Sequence, residues 1–275
     1  MEKFIIAAGI PVRIATQGDT LPAHSAVLLL HGYLESLEVW DSLARQLGKH
    51  RYTLALDLPG HGLSGTHPDA NTMELMADVL SDACRQLGVQ KACVVGHSMG
   101  GYVALALAKK YPALVEKLCL LHSTPNPDSP EKKLQRNREI ALIAAGKKEP
   151  LVAQSLYLIF AEDNESKHYE AIAELEANAL LADDAGIVAC LRGMQQREDM
   201  NDFLASFDKP LLFVFGKKDR HIAWEAAQGF IQRFPQAQTL VLENSGHAGF
   251  IEEEEKVVEG LMGFVEGDKN LHVVP

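Results

Sequence analysis

Short unbroken apolar runs alternate with segments of helical spacing along the first half of this chain. Phe4–Ala7 and Val12–Thr16, joined through Gly9 and Pro11, read as an antiparallel hairpin. Ala26–Leu30 is apolar throughout, as a strand buried on both faces requires. Val39, Trp40, Leu43 and Leu47 then keep helical spacing, and Gly48 supplies a stop. Tyr52–Leu56 is the next strand and runs into Asp57-Leu58-Pro59-Gly60. Asn71 opens a second helix, with Glu74 three residues later and Met76, Val79, Leu80, Ala83 and Leu87 on one face. Ala92–Val95 is a strand, Gly100–Tyr111 a helix halted before Pro112, and Leu118–Leu121 a further strand.

The rhythm then changes. His122 to Pro130 holds three prolines in nine residues and is a loop by composition. From about Glu131 to Asp202 only helical patterns occur. Leu151, Val152, Leu156, Ile159 and Phe160 share one face, Ile172, Leu175, Ala179 and Leu180 another, and Ile187, Val188, Leu191 and Met194 a third. Strands resume at Leu211–Phe215 and Thr239–Leu242, each followed by a helix. The pattern predicts an α/β fold: a mostly parallel sheet flanked by helices, with core segments 1–123 and 203–275 and a helical cap inserted over 124–202.

Composition narrows the function. With 275 residues, 47% of them apolar and 23% charged, the chain is an ordinary globular domain and not a disordered or fibrous one. Lys and Arg number 26 against 37 Asp and Glu, a net charge of −11 that disfavours nucleic acid and anionic membrane surfaces as partners. Cys84, Cys93, Cys119 and Cys190 lie far apart with no CxxC pair, so neither a metal knuckle nor a redox dithiol is expected; Cys93 and Cys119, inside apolar runs, read as inert buried thiols. The first residues lack the basic and apolar regions of a signal peptide, and no apolar run nears the roughly 20 residues of a membrane span. The expectation is a cytoplasmic monomer or homodimer that acts on a small molecule.

Candidate chemistry centres on Gly96-His97-Ser98-Met99-Gly100, which fits the G-x-S-x-G nucleophile elbow and sits between a predicted strand and a predicted helix. A strained strand-to-helix turn needs small residues two positions either side of the serine. It also aims a helix N-terminus at the reaction centre. A serine hydroxyl needs a base, and in this motif's chain order an acid and then a histidine follow the serine. His247, in the Gly-bracketed loop after the last strand, suits the base better than His122, His168, His221 or His272, of which the last falls in a tail. Asp219 is the one carboxylate in the turn after Leu211–Phe215 and suits the acid. Asp57, which precedes the serine, reads as a turn stabiliser that bonds backbone amides. Two oxyanion donors are expected, the amide of Met99 and, through the turn at Gly32, that of Tyr33; His31 reads as a structural hydrogen-bonding residue.

Taken together, the HGY loop, Asp57-Leu58-Pro59-Gly60-His61-Gly62-Leu63-Ser64, GHSMGG, GKKD and SGH resemble the α/β-hydrolase superfamily in its serine-nucleophile, carboxylesterase- and lipase-like branch, over about residues 10–265. The resemblance implies Ser98 as nucleophile, Asp219 as acid, His247 as base and Tyr33 and Met99 as oxyanion donors, with the pocket between sheet and cap and no cofactor. A serine at the elbow argues against the epoxide-hydrolase and haloalkane-dehalogenase branches. Cleavage of a carboxylic ester of a small apolar substrate is the expected reaction. C–C bond hydrolases, haloperoxidase-like proteins, lyases and small-molecule receptors share the triad and stay open.

Leu34, Ile159, Phe160 and Ile222 are the candidate walls of an apolar pocket. No metal-ligand cluster is expected. Glu252–Glu255 reads as the acidic first turn of a helix, and Lys132, Lys133, Arg136 and Arg138 as a solvated cap surface.

Overall fold

A computed structural model describes residues 1–18 and 25–267 and the backbone of 272–273. The described strands form one sheet in the order β1-β2-β4-β3-β5-β6-β7-β8-β9. They are β1 (Glu2–Ala7), β2 (Ile10–Gln17), β3 (Ser25–Leu30), β4 (Thr53–Leu56), β5 (Lys91–His97), β6 (Val115–Leu121), β7 (Leu211–Gly216), β8 (Gln238–Leu242) and β9 (His272–Val273). The β1–β2 hairpin and the β2–β4 pair are antiparallel, and every pairing from β4 onward is parallel. His272, expected in a tail, instead pairs through its backbone with Thr239 at the sheet edge.

The strands from β3 to β8 are largely buried on both faces, which is why they read as continuous apolar runs, whereas β1 is mostly exposed. Leu28 and Leu30 pack on one side with α2 (Met73–Gln86) and α3 (Met99–Lys110). Val27 and Leu29 pack on the other with α1 (Asp41–Leu47) and the C-terminal helix Glu254–Glu266. The N-cap of α2 is Thr72, whose hydroxyl accepts the Leu75 N–H, and not Asn71. The Asn71 amide is spent elsewhere, donating to the Pro59 carbonyl and the Cys190 thiol and accepting the His67 N–H.

Between β6 and β7 the chain is helical: α4 (Pro130–Ala144), α5 (Lys148–Tyr157), α6 (Tyr169–Leu181), α7 (Asp184–Gln196) and α8 (Asn201–Ala205). α5 stops at Tyr157, so Ile159 and Phe160 lie in the following turn and not on its face. The basic stretch of α4 is not uniformly solvated. Arg136 is buried and donates to both Asp128 carboxylate oxygens, at 2.5 and 3.1 Å, while Lys133 and Arg138 stay exposed. Arg197, the C-cap of α7, also reaches Asp128 and lies over the Tyr102 ring. After β7 come α9 (Trp224–Arg233) and, past β8, α10 (Gly249–Glu252) and α11 (Glu254–Glu266). The parallel register brings the C-terminal ends of β3, β5, β6, β7 and β8 to one edge, where open α/β sheets build their sites.

Candidate active site

Ser98 follows β5 directly and caps α3 with φ 49° and ψ −114°, a left-handed conformation that few non-glycine residues adopt. Its N–H donates to Leu121, and its carbonyl accepts Gly101 N–H and the Ser123 hydroxyl, so the turn is pinned from β6. A Cβ on Gly96 would come within 2.4 Å of the Gly100 carbonyl oxygen, and one on Gly100 within 2.3 Å of that of Leu30. Nothing larger than glycine fits at either position. The Ser98 hydroxyl is not used as the helix cap, which leaves it free for other partners.

Asp219 and His247, 28 residues apart in sequence, are held by a 2.7 Å hydrogen bond from Nδ1 of His247 to Oδ2 of Asp219. Oδ1 of Asp219 accepts the amides of His221 and Ile222 at 2.7 and 2.9 Å. Burial alone would raise this carboxyl. The adjacent His247, through its charge and its hydrogen bond, and the nearby His122 override it and hold the group well below the usual carboxylate range. With Nδ1 of His247 committed to Asp219, Nε2 is the ring nitrogen left to act on a hydroxyl. His247 N–H and Ala248 N–H both donate to the Ile159 carbonyl, at 2.6 and 3.0 Å.

On the other flank, His31 donates from Nδ1 to the Gly32 carbonyl and accepts Leu58 N–H at Nε2, the pattern of a neutral ring. Burial lowers its pKa accordingly. His61 accepts the Leu34 N–H and so shapes the 31–35 loop, in which Leu34 has φ 63°. Met99 occupies the first position of α3, where backbone N–H groups have no intrahelical acceptor. Asp57 accepts the amides of Leu37 and Leu63 and pairs with Arg13 at 2.7 Å, a structural post beneath that loop.

The alpha/beta hydrolase fold family model matches residues 25–142, which contain the elbow and the 31–35 loop. A thermophilic esterase from Thermogutta terrifontis, solved with malate bound, superposes with TM-score 0.90 at 28% identity, covering 99% of this chain and all of that one. The chain is an enzyme of the α/β-hydrolase fold. A pimeloyl-[acyl-carrier protein] methyl ester esterase of Xanthomonas campestris pv. campestris is 28% identical over 257 residues, 90% of this chain and 97% of that protein. The enol-lactonase of Burkholderia xenovorans LB400 shares the fold, with TM-score 0.88 at 19% identity over 96% of this chain and all of that one.

The expected pocket residues of this hydrolase divide. Ile222 is half-buried beside Asp219 and its side chain packs on the core. Leu34 is buried in the core, and Ile159 serves the histidine loop through its carbonyl. Phe160 is fully buried and stacked on His168 at 5.7 Å. Four side chains at the edge of the site have no part in it on the sequence reading. Glu35 and His97 form a buried pair at 2.9 Å. Glu252, expected in the acidic first turn of a helix, instead ends α10, is buried and accepts the N–H groups of Ala161 and Gly246 and the Asn164 amide. His122, which the sequence makes a weaker candidate base than His247, places Nδ1 3.3 Å from Oδ2 of Asp219, yet neither of its ring nitrogens makes a hydrogen bond.

His122, Asp219 and His247 are the described residues whose donor atoms gather closely enough to suggest a metal, within 4.8 Å of one another. The 2.7 Å Asp219–His247 contact argues against one there. Two atoms each bound at about 2.0–2.2 Å around an ion normally stand more than about 3 Å apart. The four cysteines are free and buried, and burial pushes the thiols of Cys84, Cys93 and Cys190 up to about 12, so none is a ready nucleophile. No described helix is long and apolar enough to cross a membrane.

Proposed function

We propose that this enzyme is a serine hydrolase that cleaves carboxylic esters of small apolar substrates through an acyl-enzyme. The observation that carries the reading is the 2.7 Å Asp219–His247 hydrogen bond on loops leaving the same sheet edge as the strained Ser98 turn. The esterase names of the relatives agree with it. His247 Nε2 takes the Ser98 proton as Oγ attacks the ester carbonyl, and Asp219 stabilises the imidazolium that forms. The Tyr33 and Met99 amides, with the N-terminus of α3 behind Met99, receive the tetrahedral oxyanion. Collapse returns the proton from His247 to the departing alcohol. Water then attacks the acyl carbon, giving its proton to His247, and a second collapse frees the acid and Ser98. Helices of 124–202 act as the cap over the acyl group, with Ile222 on the triad side of the pocket.

The test is turnover of p-nitrophenyl acetate, butyrate and octanoate by the parent and by Ser98→Ala, together with fluorophosphonate labelling. Ser98→Ala is expected to lose labelling and at least about 10³-fold in kcat, as removal of an activated nucleophile does. Undiminished labelling or turnover would remove Ser98 from the mechanism.

A further inference from the structure

Beneath the triad lies a chain of hydrogen bonds that the ester-cleavage mechanism does not use. Oε2 of Glu35 accepts the Gly32 N–H at 2.6 Å and meets Nδ1 of His97 at 2.9 Å. Nε2 of His97 reaches the backbone carbonyl of His247 at 2.9 Å. Glu35 and His97 are both buried, with Phe250 edge-on to the His97 ring at 4.8 Å. A carbonyl oxygen only accepts, so Nε2 carries a hydrogen. The Gly32 N–H on the same carboxylate oxygen favours an ionised Glu35, and an ionised carboxylate facing Nδ1 at 2.9 Å favours a second hydrogen there. His97 is therefore an imidazolium paired with an ionised Glu35. Burial opposes ionisation of both, and their mutual attraction prevails, raising the His97 pKa and lowering that of Glu35.

We infer that Glu35 and His97 are positioning residues: their ion pair fastens the oxyanion loop at Gly32 to the backbone of the base at His247, across the residue that precedes Ser98. The oxyanion loop, the nucleophile and the base of the proposed site come from loops after β3, β5 and β8, and this pair is bonded into all three of these. The approach is tight: a Cβ on Gly32 would stand 2.9 Å from His97 Nδ1 and 3.0 Å from Glu35 Oε2. A buried ion pair is often no more stabilising than apolar side chains of similar volume. What this one supplies is direction, because its bonds fix where the Tyr33 amide and the His247 ring stand relative to Ser98. The inference rests on the triad reading above.

The test is the double variant Glu35→Met/His97→Leu, which removes the pair without stranding a charge, compared with His97→Gln, which keeps an N–H donor for the His247 carbonyl. Activity is measured with p-nitrophenyl butyrate and folding by thermal denaturation. The expected result is a folded double variant with kcat lowered about 10- to 100-fold, KM within about threefold of the parent, and His97→Gln between the two. A double variant with the parent's kcat, or a loss confined to KM, overturns the inference. Should the double variant not fold, His97→Gln decides: a several-fold kcat loss at constant KM supports the role, and parental kcat overturns it. The ring 15N signals of His97 in the parent, assigned by their loss in His97→Gln, must show both nitrogens protonated at neutral pH; a neutral ring refutes the ion pair. A parent lacking Ser98-dependent turnover would refute the triad reading instead, and the 15N result would still judge the pair.

Discussion

His122 offers a sharp test of the electrostatics around the site. Its ring is fully buried, and burial, outweighing the attraction of Asp219, brings its pKa down from 6.5 to about 4. The unfolded chain therefore binds a proton that the folded chain refuses between these values. Stability contributed by neutral His122 is complete above about pH 6.5, falls as the pH drops toward 4, and levels off below. Between about pH 7.5 and pH 4.5 the loss from this one group comes to about 2.5 kcal/mol. Other groups act in the same range: buried His31 and His61, also lowered, push the same way, and His97, raised, contributes stability at low pH that is lost as pH rises through its folded value. Of these, His97 faces His122 at 6.0 Å and is coupled to it, as is His247, so the difference between two proteins reads the titration of His122 together with those couplings.

The replacement is His122→Asn, because residue 122 has φ 47° and asparagine tolerates that backbone. Urea unfolding is followed at half-unit intervals from pH 7.5 to pH 4.5 for parent and variant. The smaller asparagine side chain leaves a void, so the variant is expected to be less stable at neutral pH. The two curves of unfolding free energy against pH should then converge by about 2.5 kcal/mol as acid is added. Parallel curves would show that His122 carries its proton in the folded state or is reached by water, and the account of its burial would be wrong.

Two further substitutions probe the contacts that join the helical insert to the sheet. Glu252→Gln puts an amide where a carboxylate now accepts three N–H donors and is expected to cost about 1–3 kcal/mol and to lower kcat, read by thermal denaturation and ester turnover; unchanged values would show that these bonds are dispensable. Gly193→Ala would push a Cβ to 1.8 Å from the Asn71 carbonyl oxygen and should destabilise by about 1–3 kcal/mol or more, whereas Gly229→Ala, with nothing within 4 Å, should be neutral or stabilising; equal melting shifts would contradict the packing of α7 on the core.

Much of this molecule was legible in its sequence because the signals are local. Strands buried on both faces announce themselves as apolar runs, and the glycines around Ser98 answer a clash within the turn itself. The 219–222 turn was legible for a similar reason: its one carboxylate accepts amides two and three residues on. The errors fall where a distant segment decides. Asn71 and Thr72 are both good helix caps, but the Asn71 oxygen is taken by the His67 N–H and its amide nitrogen by Pro59, Thr66 and the distant Cys190, so Thr72 is the one used. Arg136 looked solvated until Asp128 accepted it, and the helical spacing through Phe160 failed because the Ile159 carbonyl turns to His247 and Ala248 instead of closing another helical turn.

That last departure joins the insert to the His247 loop. The backbone of His247 is gripped at both ends, its N–H by the Ile159 carbonyl of the insert and its C=O by His97 of the sheet. Glu252 bonds the same two segments again, accepting Ala161 N–H from one side and Gly246 N–H from the other. A shift of residues 159–161 relative to the sheet must break these bonds or carry the histidine loop along. An apolar substitution that moves this turn would therefore alter the placement of the imidazole as well as the walls around a substrate. Phe160 illustrates the consequence: fully buried against His168 and one residue from the carbonyl that holds His247, it is poorly placed to tune specificity alone. Ile222 is different, since it is only half-buried and its amide is already fixed by Asp219, so its side chain can change with less disturbance to the backbone that carries Asp219.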